Sequence, residues 1–265
     1  MFQKYMNKFV LPAALAAGIF AAAPVMAAEN FTKDDINKMI HDYIMENPQL
    51  ILEAVNSYQS KEMASKQEEA LQRNHDELFK NEKSPFIGNK TGDVTIVEFF
   101  DYNCHYCKDV FFTLRDIAKE DSGVKVIFKD FPILGPTSET SAKWALAAQR
   151  QDKYFEFHEK MMSHKGALKN EDIEAAAKDI GMDLGAARSY IDGTDAMMQI
   201  ERNRSLAQQM NFNGTPSFIV GDDTFSGVPD KDSLKQRIAE YRKSAQEKDA
   251  APKEEDKKEE EKKQD

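Results

Sequence analysis

Val94-Thr95-Ile96-Val97-Glu98-Phe99-Phe100-Asp101-Tyr102-Asn103-Cys104-His105-Tyr106-Cys107 is the stretch around which this 265-residue chain is organised. Its first seven residues are mostly apolar, β-branched or aromatic and are bounded by turn residues, which is the pattern of a short buried strand. Asp101-Tyr102-Asn103 ends that strand, and the four residues from Cys104 to Cys107 open a helix read over 108–119. The two cysteines are the only ones in the sequence. A sulfur placed where a strand turns into a helix sits over unpaired helical N–H groups and the positive end of the helix dipole, and both favour a thiolate. In such CxxC motifs the thiol pKa falls to about 3.5–7.5, from about 8.5 for a free cysteine. The pattern points to thiol–disulfide exchange.

Two other readings of the cysteine pair stay open. Half of a zinc site would need a second close pair of ligands. The histidines outside the motif, His41, His75, His158 and His164, supply no such pair, and the residues imply no metal. A purely structural disulfide would close a loop of two residues, and so short a loop constrains the unfolded chain little.

The sequence 98–107, taken with Asn213-Gly214-Thr215-Pro216-Ser217-Phe218-Ile219-Val220-Gly221, resembles the DsbA-like thiol:disulfide oxidoreductases of the bacterial envelope. The resemblance covers 84–243. It implies an α/β thioredoxin fold with an all-helical insertion over about 137–214, preceded here by an N-terminal helical segment. It implies that Cys104 is the nucleophile and Cys107 the resolving thiol, that His105 and Tyr106 tune the pair, and that no cofactor beyond the cysteines is needed. In relatives the glutamate matching Glu98 lies beneath the cysteines and moves protons. A buried unpaired carboxylate is costly, so Glu98 calls for a partner, and Lys129 on the following strand is the candidate; a solvent-facing Glu98 at a strand edge is the alternative. Thr215-Pro216 matches the family's cis-proline turn, which exposes the Thr215 backbone to an extended substrate. Strongly oxidising members place histidine before the second cysteine. Here tyrosine precedes it, as in some family isomerases.

The two ends of the chain read differently from its middle. Lys4 and Lys8 precede an apolar run over 10–23, and Val25-Met26-Ala27 gives a signal-peptidase site, so 1–27 reads as a cleaved signal peptide. The apolar run is shorter than the roughly 20 residues of a membrane span. Export to the periplasm follows, a compartment that permits disulfides, with outer-membrane or surface association left open. The formal charge is −10, and about −12 without the leader, which removes two lysines and no acids. That balance argues against nucleic acid as a partner. At the other end 244–265 is almost wholly Lys, Glu, Asp, Gln and Ala and reads as a charged disordered tail.

Residues 28–82 show only helical periodicity. Thr32 and Asp35 form a capping-box start, and Ile36, Met39, Ile40, Tyr43 and Ile44 share one face. Asn47-Pro48 starts a second helix, read as burying Ile51, Leu52, Val55 and Tyr58 and as running to residue 80. Thin apolar cover on so long a helix suits a stalk between copies, so a homo-oligomer, most simply a dimer, is expected. Some DsbA-like proteins carry an oligomerising segment that this one resembles.

The reading that follows is an exported enzyme that forms, and in some contexts isomerises, disulfides in reduced or misoxidised envelope proteins, with a membrane redox partner that resets its cysteines. The rivals are a non-catalytic envelope chaperone or surface protein with a structural disulfide, and a metal carrier using the thiolates.

Overall fold

A computed structural model describes residues 31–250. The expected leader, and the charged tail from 251 onward, lie outside those residues. The chain divides into two units, at Ser57 and Tyr58.

In the first unit α1 (Lys33–Glu46) opens with the capping box read from the sequence: Thr32 Oγ1 accepts from the Asp35 N–H, and the Asp35 carboxylate accepts from the Thr32 N–H at 3.0 Å. The next helix, α2 (Gln49–Arg73), follows at once. Asn47 does not act as its N-cap. It closes α1 instead, its side-chain amide donating to the Tyr43 carbonyl at 2.8 Å. No residue of α1 is buried, and Ile51, Leu52, Val55 and Tyr58, expected to be buried, are all exposed.

The second unit is built on a five-stranded sheet of order β1-β3-β2-β4-β5. Its strands are β1 (Phe86–Gly88), β2 (Val94–Phe100), β3 (Val124–Asp130), β4 (Ser217–Val220) and β5 (Asp223–Ser226). The central pair, β2 and β3, is parallel and linked by α3 (His105–Glu120), whereas β1, β4 and β5 each join antiparallel. Between β3 and β4 come α4 (Pro136–Gln149), α5 (Tyr154–Ser163), α6 (Asn170–Asp179), α7 (Leu184–Ile191) and α8 (Thr194–Gln209), and α9 (Lys231–Ala250) is the last element among the described residues. The thioredoxin fold with a helical insertion is therefore observed. Helix α9 extends the order past the expected tail boundary at 244, with Lys248 paired to Asp222 at 2.8 Å.

Alternation along the strands divides the core in two. On one face Ile96 and Phe100 of β2, Val126 and Phe128 of β3, and Phe218 of β4 pack against α3, α9 and the inserted helices. On the other, Val97, Phe99, Ile127 and Ile219 pack with Leu206 and Met210 near the end of α8, and with Ala70, Leu71 and Leu78. The last three correct the sequence reading. Helix α2 stops at Arg73, Asn74 caps it through its amide on the Ala70 carbonyl (2.8 Å), and a π-helical turn, Asp76–Lys80, buries Leu78. Residues before 84 thus contribute to the second core, and they belong to the same compact unit, which begins at Tyr58.

Candidate active site

Cys104 is the N-cap of α3, and its Sγ accepts from the Cys107 N–H at 3.3 Å. The helix therefore begins at His105, three residues before the start read from the sequence. The turn that presents the sulfur is clamped from several sides. The Asp101 carbonyl accepts from Cys104 N–H at 3.0 Å, and its Oδ1 accepts from Asn103 N–H at 2.7 Å. Asp101 Oδ2 takes the N–H groups of Ile133 and Leu134 at 2.8 and 2.9 Å. Asn103 donates to the hydroxyls of Thr137 and Ser138 and accepts from Leu168 N–H at 3.0 Å. Strand end, α4 and the loop before α6 are thereby fixed to one turn.

Both cysteines are free thiols here, Cys104 nearly buried and Cys107 wholly so. The Cys104 thiol is pulled down to about 6, chiefly by the Cys107 thiol donating to its sulfur. The Thr215 side chain and the N–H groups of Cys107 and Tyr106 add to that pull, and burial opposes it. In its protonated form Cys104 donates instead to the Thr215 carbonyl, 3.3 Å away. Burial pushes the Cys107 thiol far up, and its donation to Cys104 and the charge of Glu98 push the same way. The two sulfurs thus differ in the ease with which each becomes a thiolate.

Thr215 and Pro216 come from the far side of the helical insertion, joined by a cis peptide bond, and β4 begins at Ser217. The structure brings Thr215 against Cys104. It does not do the same for the His105 side chain, which is exposed and lies 3.4 Å from Asp109. Tyr106 reaches Cys104 through its backbone N–H, and its ring is exposed.

Glu98 is fully buried, so the strand-edge alternative does not hold, and neither carboxyl oxygen has a hydrogen-bond partner. Lys129 is not its partner. In the β2–β3 register Glu98 lies opposite Phe128, so Lys129, one residue on, points to the other face. There it donates to the Glu77 carbonyl at 2.8 Å and Ser84 Oγ at 2.9 Å. Burial, reinforced by the charge on Cys104, raises the Glu98 carboxyl well above the usual carboxylate range.

On the Glu98 face the sequence reading missed further groups. Asp130 is buried with Oδ1 unpaired, and burial lifts its pKa to about 8. His158 is held neutral, its pKa lowered to about 3 by burial, and its Nδ1 meets Tyr102 Oη at 2.9 Å. The Tyr154 hydroxyl and His158 Nε2 are also unpaired. The available signal for Asp130 was an acid ending an apolar strand parallel to β2; nothing local flagged His158, which is 56 residues from Tyr102. Among the described residues no cluster of His, Cys, Asp and Glu is arranged to hold a metal ion, and no helix is long and apolar enough to cross a membrane.

Comparison with known proteins places this geometry. A family model described as a DSBA-like thioredoxin domain matches residues 95–239, and one described as the N-terminal domain of copper resistance protein ScsC matches 33–64. A thioredoxin-like oxidoreductase from Silicibacter pomeroyi is 35% identical with a TM-score of 0.61, covering 63% of this chain and 97% of its own. A linker-deletion variant of Proteus mirabilis ScsC is 27% identical with a TM-score of 0.64, covering 84% of this chain and all of its own. Disulfide bond formation protein D of Bacillus subtilis is 25% identical over 166 residues, 58% of this chain and 75% of that protein. The chain also matches Na(+)/H(+) antiporter NhaA 1 of Salinispora arenicola, 24% identical over 153 residues, and spans only 24% of that protein's length.

Proposed function

This chain belongs to the DSBA-like thioredoxin domain family, and from that premise we propose that it exchanges disulfides with exported proteins through Cys104 and Cys107. One observation carries the reading: the Cys104 sulfur caps a helix, accepts from the Cys107 N–H and has a second, wholly buried thiol beside it, donors that pull the Cys104 thiol down to about 6.

In the oxidising direction a substrate thiolate attacks Cys104 Sγ of the Cys104–Cys107 disulfide. The S–S bond breaks, and Cys107 leaves as a thiolate that takes a proton, for which the neutral Glu98 carboxyl is the proposed donor. A second substrate thiolate then attacks the substrate sulfur of the mixed disulfide. Cys104 leaves as a thiolate, stabilised by the donors around it, and two electrons have passed from two substrate thiols to the CxxC pair. A low-pKa leaving thiol speeds this release and makes the disulfide oxidising. In isomerisation reduced Cys104 attacks a wrong disulfide and is later expelled unchanged. Thr215, beside the nucleophile and just ahead of a strand, offers backbone for an extended substrate to pair with. His105 and Tyr106 flank the sulfur. The reading places the protein in the periplasm after removal of 1–27, with a membrane redox partner resetting the cysteines and no cofactor.

Substitution separates the two thiols. Cys104→Ser abolishes transfer, whereas Cys107→Ser leaves Cys104 to accumulate mixed disulfides, resolved by non-reducing gels and mass spectrometry. Equal trapping by both variants refutes the assignment, and a reduction potential below about −300 mV would mark a structural staple instead.

The first unit supports a homo-oligomer, most simply a dimer. Ile36, Met39, Ile40 and Tyr43 of α1 and Ile51, Leu52 and Val55 of α2 are all exposed, more apolar surface than a solitary helix pair ordinarily leaves to water. Joined copies would hold a misfolded substrate through avidity, as isomerisation requires. Light scattering on the mature chain should give a multiple of its monomer mass. A cut at Tyr58, rather than at Ser84, which would remove Leu71 and Leu78 from the core, should yield the monomer.

A further inference from the structure

A cavity of about 730 Å³ opens beside the residues that flank Cys104 and Cys107, with Asn103, His105 and Lys108 in its wall. It begins at His105, next to Cys104, and runs between α3, the start of α4 and the 163–167 loop that follows α5. Its volume lies within the ~300–1,000 Å³ of ordinary ligand sites. Phe112 and Leu134, both exposed, give it an apolar wall.

The other wall is cationic. Lys108 Nζ donates to the carbonyls of His164 and Gly166 at 2.8 and 3.2 Å, which fastens the loop to α3. An ammonium has three N–H donors, so one is left for an incoming acceptor. Lys165 lines the same wall and is exposed. Of the acids nearby, Asp101 holds three backbone N–H groups, and Asp109 lines the cavity at the His105 end, 3.4 Å from that imidazole. These cations are local, since the chain as a whole carries −10.

A polypeptide joined to Cys104 through a mixed disulfide lies next to His105, where this cavity begins. We infer that the cavity seats an acidic residue and a neighbouring apolar side chain of the substrate polypeptide, the carboxylate against Lys108 and Lys165 and the apolar group on Phe112 and Leu134. At about 3.3 Å per extended residue, the pair sits within about four residues of the reacting cysteine. The inference rests on the exchange reading and names the substrate class that the site favours.

Competition kinetics on the oxidised full chain test it. Three dithiol peptides share one scaffold and carry Phe-Glu, Phe-Lys or Gly-Glu at that distance from the cysteine, and peptide oxidation is followed by chromatography. Phe-Glu should react about 5-fold faster than Phe-Lys, with the gap closing as salt rises from low to near-molar concentration. Phe-Glu should also outpace Gly-Glu by about 10-fold, on the scale of one buried apolar side chain. Lys165→Glu should erase or invert the preference of Phe-Glu over Phe-Lys. Equal rates for the three peptides, or a preference untouched by Lys165→Glu, overturn the inference. Dithiothreitol separates the two levels. If the protein oxidises it but shows no peptide preference, the substrate site alone is refuted; if it is not oxidised, the exchange reading falls and takes the site with it.

Discussion

Two buried ionisable residues sit on neighbouring central strands and meet opposite treatment. Lys129 is nearly inaccessible yet satisfied: it holds the Glu77 carbonyl and the Ser84 hydroxyl, and the Glu77 carboxylate is 3.8 Å away. Burial still lowers its pKa, to about 8. Glu98 is equally buried and has no partner at all. The Lys129 arrangement is that of a fastener, tying the π-helical turn to the sheet. The Glu98 arrangement makes no sense as a fastener, because an unpaired buried carboxyl costs stability. It suits a group that must change its protonation as the sulfur above it changes charge, which is its proposed role. The difference teaches that a buried charge is read by its partners rather than by its burial.

The largest expected effect tests whether the Glu98 face as a whole tolerates unpaired acids. Asp130 shares that face, and its folded pKa of about 8 stands above the ordinary 3.8. The native state therefore keeps a proton that the unfolded chain releases, and stability is lost as pH rises from about 4 to about 8. At ~1.4 kcal/mol per pKa unit, this group takes away about 3–4 kcal/mol between pH 5 and pH 8. Denaturant titrations at both pH values should show the slope, and Asp130→Asn should flatten it; an unchanged slope in the variant breaks the argument.

Next comes the fastener. Lys129→Ala leaves two buried acceptors without their donor and should cost about 3 kcal/mol in unfolding free energy. The variant, assayed where it remains folded, should keep its exchange chemistry. A fall in Cys104 reactivity at equal folded fraction would join the two faces that the comparison separates.

Glu98→Gln should do the reverse. Stability should move by less than about 1 kcal/mol, because the amide keeps the size of a carboxyl whose neutral form burial already favours. Proton transfer to and from Cys107 should slow by about 100-fold, seen in stopped-flow decay of a mixed disulfide. Wild-type decay in the variant would remove Glu98 from the proton path.

Much of this was legible in the sequence, for physical reasons that are local. The alternation and β-branching of 94–100 and 124–130 marked both central strands to the residue, because a buried strand needs nothing beyond its own side chains to announce itself. The CxxC at a strand end, the capping box at Thr32 and the proline ahead of β4 are likewise properties of a few adjacent residues. Two helix limits near these signals were missed. The α3 start came three residues early because a cysteine sulfur served as N-cap, and α2 stopped at Arg73 because Asn74 turned its amide back onto Ala70.

What the sequence by itself determined, then, is which segments are strands and helices and which two sulfurs could form a reactive pair. Tertiary structure alone decided who faces whom. Lys129 and Glu98 would share a face if β3 were shifted by one residue against β2, and the observed register puts them on opposite sides. Likewise the meeting of Tyr102 with His158, of Cys104 with Thr215, and of Leu71 and Leu78 with Val97 spans tens of residues and depends on how whole elements dock. Periodicity fixes the face of one element; register and docking are set by the sum of many weak contacts between elements, and no short stretch of chain contains that sum.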